Sequence, residues 1–178
     1  MATLDEIKPD FEKFKALVLY VCAKSQEYHD FGATKLNKIL YYSDFIGYLY
    51  TGRPITGETY VKRQWGPVPK RVLEAQNELV AEKKLVVRDV PFAPRTKREF
   101  IVLTAPDVSQ FTPEEISLVD DCIEQINRNF SAGSISKLSH DQIWEIWNIG
   151  DELPYPTIMA SYAGEIDEQD IAWAQGRA

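Results

Sequence analysis

The stretch from Lys35 to Tyr50 limits what this chain can fold into more than any other. Read as a helix, it puts Leu36, Ile39, Leu40, Ser43, Ile46 and Tyr50 on one broad face and Asn37, Tyr41, Asp44, Phe45 and Tyr48 on the opposite side. A helix that is apolar nearly all round belongs in the interior, with other elements packed about it. Thr34 is the expected N-cap, and Thr51-Gly52-Arg53-Pro54 is a stop signal. With 178 residues, 44% hydrophobic and 26% charged, the chain has the balance of an ordinary globular protein and can bury such a helix in one core.

The remaining elements are read from their periodicity and caps. Phe11, Phe14, Val18 and Val21 predict a helix over about Asp10–Lys24, with Asp10 as cap. Thr59–Trp65 reads as a short extended segment ended by Gly66 and Pro67, and a third helix is expected to start near Pro67 with Val68, Val72, Ala75 and Leu79 on one face. Leu85–Val90 and Phe100–Leu103 read as the arms of a hairpin joined by a long basic loop, PFAPRTKRE. Thr112, Pro113 and Glu115 spell a capping box with proline at the first helical position, followed by the stripe Ile116, Val119, Ile123, Ile126 and Phe130. A fifth helix is expected after Ser139, closed by Gln142 and carrying Ile143, Trp144 and Trp147, and a short last one over Asp167–Ala174; the intervening PYPT run reads as an extended connection. There is no internal repeat. The expected fold is α+β and mainly helical: a single domain over 1–178, of five to six helices with a small antiparallel sheet or hairpin, in a winged-helix-like order in the N-terminal half.

Composition narrows the chemistry. The two cysteines, Cys22 and Cys122, sit among apolar neighbours and read as buried free thiols, and His29 and His140 show no ligand spacing with each other or with the cysteines. No P-loop, GxGxxG or GxSxG is present, so neither an enzyme, nor a metal, nor a cofactor is expected. The acidic, polar start does not resemble a signal peptide, and no run approaches the roughly 18–20 apolar residues of a membrane span; the expected compartment is the cytoplasm. The net charge is −7. It is unevenly spread: Lys62–Arg98 holds ten Lys/Arg against four Asp/Glu, and Glu99–Ala178 three against fifteen. A winged-helix reading would send Arg71, Gln76 and Asn77 to base edges and Arg95, Lys97 and Arg98 to phosphates. Glu74, Glu78 and Glu82 on the same helix, and the acidic balance of the whole, oppose it.

The order KLNKILYYSDFIGYLYTGRPITGETYVKRQWGPVP, from Lys35 to Pro69, resembles the Panacea antitoxin family, also described as SocA-like or phage GepA-like antitoxin domains. The features that carry the likeness are Lys35, Leu36, Lys38, Ile39, Leu40 and Tyr41; Gly52, Pro54, Ile55, Thr56 and Gly57; Tyr60; and Gly66, Pro67, Val68 and Pro69. Ser139-His140, a following tryptophan, Gly150, Leu153, Pro154 and Tyr155 resemble the family's C-terminal block, and Ile166–Asp170 its closing acidic helix. Ile39 stands where leucine is usual, and Trp65 where another aromatic often precedes the Gly-Pro. The resemblance implies an antitoxin that neutralises a cognate toxin protein by direct binding. The alternatives are a winged-helix regulator of DNA and a phage or plasmid adaptor that hands a partner to a protease.

The GxPITG and GPVP segments read first as scaffold, because glycine supplies unusual φ or close approach and proline fixes φ. A partner surface is expected on the outer side of the Lys35–Tyr50 helix and at the WGPVPKR corner, with Tyr41, Asp44, Tyr48, Trp65, Lys70 and Arg71 as its residues. The competing expectation is that the acidic C-terminal part covers this face.

Overall fold

The structure is a computed structural model and describes residues 7–140 and 145–162. Six helices and two two-stranded antiparallel sheets are found among these residues: α1 Phe11–Ser25, α2 Ala33–Thr51, β1 Tyr60–Arg63, β2 Gly66–Pro69, α3 Val72–Ala81, β3 Leu85–Phe92, β4 Arg95–Val102, α4 Pro113–Asn129, α5 Ala132–Leu138 and α6 Thr157–Tyr162. This is the mainly helical α+β class expected from the sequence.

Helix α2 is the axis of the packing, touching α1, α4, α5, α6, β2 and β4. Its buried residues run round the whole cylinder: Leu36, Ile39, Leu40, Phe45 and Tyr48, but also Lys35, Lys38, Ser43 and Asp44. Each large apolar side chain buried here contributes roughly 1.5–3 kcal/mol. The helix begins one residue before Thr34, with extended Gly32 as a cap that makes no side-chain hydrogen bond, so Thr34 lies inside the first turn and caps nothing. It ends as expected at Gly52, whose left-handed backbone (φ +73) directs its N–H to Tyr48 O.

The neighbours are tied to α2 and to each other by named contacts. Asp10 caps α1 by accepting from Lys13 N. Lys15 on α1 reaches Glu82 (2.7 Å), Glu78 (2.9 Å) and Glu12 (3.2 Å), which clamps α1 to α3 and raises the lysine pKa. Tyr20 donates to Asp120 of α4 at 2.7 Å. The capping box of α4 is present as read, and its Glu115 also holds Lys13 at 2.9 Å. Lys35 at the base of α2 donates to Asp30 (2.7 Å) and to the carbonyl of Asn127 (3.2 Å) in the last turn of α4, satisfying one of the carbonyls a helix end leaves open.

Three local expectations are corrected, and one helix is added. Gly66–Pro69 is strand β2, not a helix start, and α3 begins at Val72. The basic stretch between β3 and β4 is no long loop, because the ladder runs on to Phe92↔Arg95 and leaves Ala93-Pro94 as the turn. An additional helix, α5, ends with Ser139 as its C-cap and has Ser131 as its N-cap with a capping box closed by Ser134; the helix expected after Ser139 falls mostly outside the described residues. The PYPT connection turns into α6 at Thr157. Gln142, Ile143, Trp144 and the helix expected over Asp167–Ala174 lie outside the described residues.

Candidate functional site

Two clusters of polar side chains meet on α2, one at the open end of the β1–β2 hairpin and one at its turn. The first lies under Tyr60. Asp44 is wholly buried, and its carboxylate accepts from Thr56 N (2.6 Å) and Thr56 Oγ1 (2.6 Å). Tyr60 Oη sits 2.8 Å from Asp44 Oδ2 and 2.9 Å from Leu40 O, so its one hydrogen can serve only one of them. Burial raises the Asp44 pKa, and the bonds from Thr56 and Tyr60 oppose the rise. Beside it Glu58 is buried, accepting from Thr59 N at 2.8 Å through Oε1 while Oε2 has no partner. Burial raises its pKa as well.

The C-terminal run closes this cluster. Gly150 N donates to Lys62 O (2.8 Å), Lys62 N to Asp151 O (2.9 Å) and Leu153 N to Tyr60 O (2.8 Å), so the run lies along the free edge of β1. Tyr155 then stacks on Phe45 at 4.6 Å and on Tyr48 at 5.7 Å, and donates to Glu58 O at 2.5 Å.

The second cluster is the hairpin corner. Arg63 pairs with Gly66, leaving Gln64 and Trp65 as the two-residue turn. Trp65 is 61% exposed. Gly66 has φ +114, and a Cβ there would lie 1.7 Å from Lys38 Nζ and 2.7 Å from Ser139 Oγ. The Lys38 ammonium thus fills the place of a missing side chain, and burial lowers its pKa to about 7. Lys62 is buried and donates to Trp147 O at 2.7 Å. Lys70 pairs with Glu152 at 2.8 Å. Arg71 lies over the Phe11 ring at 3.6 Å and forks onto Glu74 at 2.6 and 2.8 Å.

Comparison with known proteins gives one match: the family described as "Antitoxin SocA-like, Panacea domain" over residues 36–145. The chain belongs to this family. No curated protein and no solved structure matches it. The Panacea motif residues can now be placed. Lys35, Leu36, Lys38, Thr56 and Tyr60 are buried, as are Gly57, Gly66, Pro67, Pro69 and Ser139, with Pro54 and Tyr41 half-buried and Gly52 and His140 exposed. Gly52, Gly57 and Gly66 all have positive φ, and the Gly57 Cα faces the Lys8 carbonyl so closely that a Cβ would stand 2.9 Å from it.

The six residues expected to form a partner surface divide. Asp44 and Tyr48 are corrected: both are buried, with Asp44 bonded to the PITG turn and Tyr48 under Tyr155. Tyr41 is half-buried and packs on Phe45 at 4.3 Å and Tyr60 at 5.7 Å. Trp65 and Lys70 are exposed, and Arg71 is half-exposed. The C-terminal part covers the α2 face, and one of its acids reaches Lys70, as the competing expectation had it. Of the residues a winged-helix reading would send to bases, Gln76 is 5% exposed and Arg71 is held by Glu74 and Phe11, leaving Asn77 outward. Sequence reasoning missed Glu58 and treated Lys38 only as a motif residue. A charged residue inside an otherwise apolar helix face was the available signal.

Proposed function

We propose that this protein is the antitoxin of a toxin–antitoxin pair and that it neutralises a cognate toxin protein by binding it directly, without catalysis. The observation that carries this reading is the Panacea match across residues 36–145. The geometry is in keeping with it. The buried Asp44–Thr56–Tyr60 chain is closed on itself and fixes the PITG turn. The two cysteines are buried free thiols, with Cys122 pushed up to about 11 and Cys22 higher still by burial, which suits inert residues in a reducing cytoplasm. What faces outward at the β1–β2 corner is of the kind that anchors interfaces: an exposed tryptophan next to arginines and a lysine. A complex of standard size buries roughly 1,600 Å² in total, and a corner held by α2, β1 and the C-terminal run presents its anchors at low ordering cost.

The test is co-expression with the product of a neighbouring small reading frame that arrests growth by itself. Restored growth, with both chains recovered in one complex, is the expected result. Growth restored without a complex would overturn direct binding, and failure to restore growth would overturn the antitoxin reading. Within a working pair, Trp65→Ala should lose neutralisation at an unchanged melting temperature.

A further inference from the structure

Lys38 stands apart from the other buried cations. Lys35, one turn earlier on the same helix, is bound to Asp30 and to a helix-end carbonyl, and Lys15 holds three glutamates. Lys38 is 1% exposed, yet no acid or carbonyl among the described residues accepts a hydrogen bond from it. A buried, unpaired ammonium is costly and is retained only for a reason. Its tip sits against Gly66, 1.7 Å from where a Cβ would stand, with Ser139 Oγ 2.7 Å from that same point. Arg63, on the same hairpin end, is exposed and also lacks an acid partner among the described residues, and the exposed Trp65 lies between Arg63 and Gly66 in sequence. Two more large apolar residues flank this corner. Leu138, 54% exposed, precedes the Ser139 whose Oγ borders the same space, and Ile149, 62% exposed, precedes the Gly150 bonded to Lys62 O.

We propose that the hairpin corner is a receiving site for an acidic segment of the partner protein, in which a partner carboxylate pairs with Lys38 at Gly66 while an adjacent apolar residue packs on Trp65. Identifying the partner as the toxin rests on the antitoxin reading above; the chemistry of the site does not. The flexible four-carbon stem lets the ammonium swing toward an incoming carboxylate, and its tip lies against Gly66, the residue next to the exposed Trp65. Charge selects the occupant, since the corner offers two cations without acceptors and the carboxylate supplies the missing one. A phosphate backbone would meet the same cations, but also Glu152 beside Lys70 and Glu74 beside Arg71.

The test uses the full chain and a displayed random-peptide library as the probe. Selected peptides are expected to carry Asp or Glu beside a large apolar residue. Changing that acid to its amide should weaken binding on the order of tenfold to a hundredfold. Lys38→Met and Trp65→Ala should weaken it similarly, with Lys38→Met melting no lower than wild type. For Lys38→Met the acid and amide peptides should then bind alike. If Lys38→Met does not fold, the acid-to-amide comparison on the unaltered protein still decides. Selection of no peptide, or of neutral or basic peptides, overturns the proposal, as does undiminished binding by Lys38→Met. Salt-sensitive retention of duplex DNA at this corner in place of acidic peptides also overturns it. In the co-expression assay, neutralisation that survives Lys38→Met sinks this inference and leaves the antitoxin reading standing. Lys38-dependent acidic peptides without any neutralised toxin do the reverse.

Discussion

The cluster under Tyr60 and the corner under Gly66 both bury a charge from α2, and the fold treats the two charges in opposite ways. Asp44 receives a backbone N–H, a threonine hydroxyl and a tyrosine hydroxyl. Lys38 receives close packing and no acceptor among the described residues. A fully bonded buried acid acts as a joint, here between α2 and the PITG turn; an unbonded buried base is a standing cost. The same family motif therefore holds residues whose loss should weaken the fold and one whose loss should strengthen it.

Gly66→Val should have the largest effect. It adds a β-branched side chain at φ +114 and onto the Lys38 ammonium, costing about 3 kcal/mol or more in chemical denaturation. Part of the cost should vanish in a Lys38→Met background, since the nearest obstructing atom is gone; equal costs in both backgrounds would separate the glycine from the lysine. Asp44→Ala comes next, at about 2–4 kcal/mol, because Thr56 N and Oγ1 are left buried without an acceptor. Asp44→Asn should cost less, since the amide oxygen still accepts. If Asp44→Ala were as mild as a surface change, the closed chain of bonds would not be a joint.

Lys38→Met should go the other way and stabilise by about 1–2 kcal/mol at neutral pH. The pH dependence fixes the sign. The folded pKa is lowered to about 7 from the ordinary lysine value of 10.5. Between these values the unfolded chain binds the proton and the folded one does not, so wild-type stability rises with pH through that window. The advantage of Lys38→Met should be full below about pH 7 and fade as pH approaches 10.5. A constant advantage across the window would mean the gain is packing alone.

How much of this was legible differs along the chain for physical reasons. α1, α2 and α4 announce themselves because their stripes run over several turns and their ends carry Asp10, Gly52 and the Thr112 box. β2 does not, because Gly-Pro-Val-Pro looks like a helix start. In the structure Pro67 and Pro69 lie opposite Lys62 and Tyr60. The bonded positions between β1 and β2 fall on the alternate residues, so neither proline is asked for an N–H towards β1. The β3–β4 hairpin was legible in its apolar arms, but the outer part of its ladder was hidden by charges, which pair across the strands: Arg88 with Glu99 at 2.6 Å and Asp89 with Arg98 at 3.3 Å. α5 was hidden because serines cap it at both ends and little of it is apolar. As for the site, Trp65, Lys70 and Arg71 could be read as a corner from their spacing. The burial of Asp44 and Tyr48 could not, because it depends on a C-terminal run lying along β1, and no local pattern specifies that pairing.

The smallest expected effect tests the edge between the two clusters. Glu58 is buried beside Asp44 with Oε2 unpartnered, and burial raises its pKa above the ordinary glutamate value of 4.5. For an acid with a raised folded pKa, the favourable contribution is complete below the unfolded pKa and is lost as pH rises through the folded value. Wild type should therefore lose stability over that rise, and Glu58→Gln should not. At neutral pH the variant should be more stable by up to about 1 kcal/mol. Its amide oxygen can keep the Thr59 N–H, and its neutrality removes a negative neighbour from Asp44, whose charge is among the influences raising Glu58. Partner binding should be untouched, because Glu58 is 1% exposed and its backbone carbonyl is held by Tyr155. If Glu58→Gln destabilised the protein or weakened partner binding, the acid would be making a contact its geometry does not show, and the division between a closed floor and an open corner would have to be redrawn.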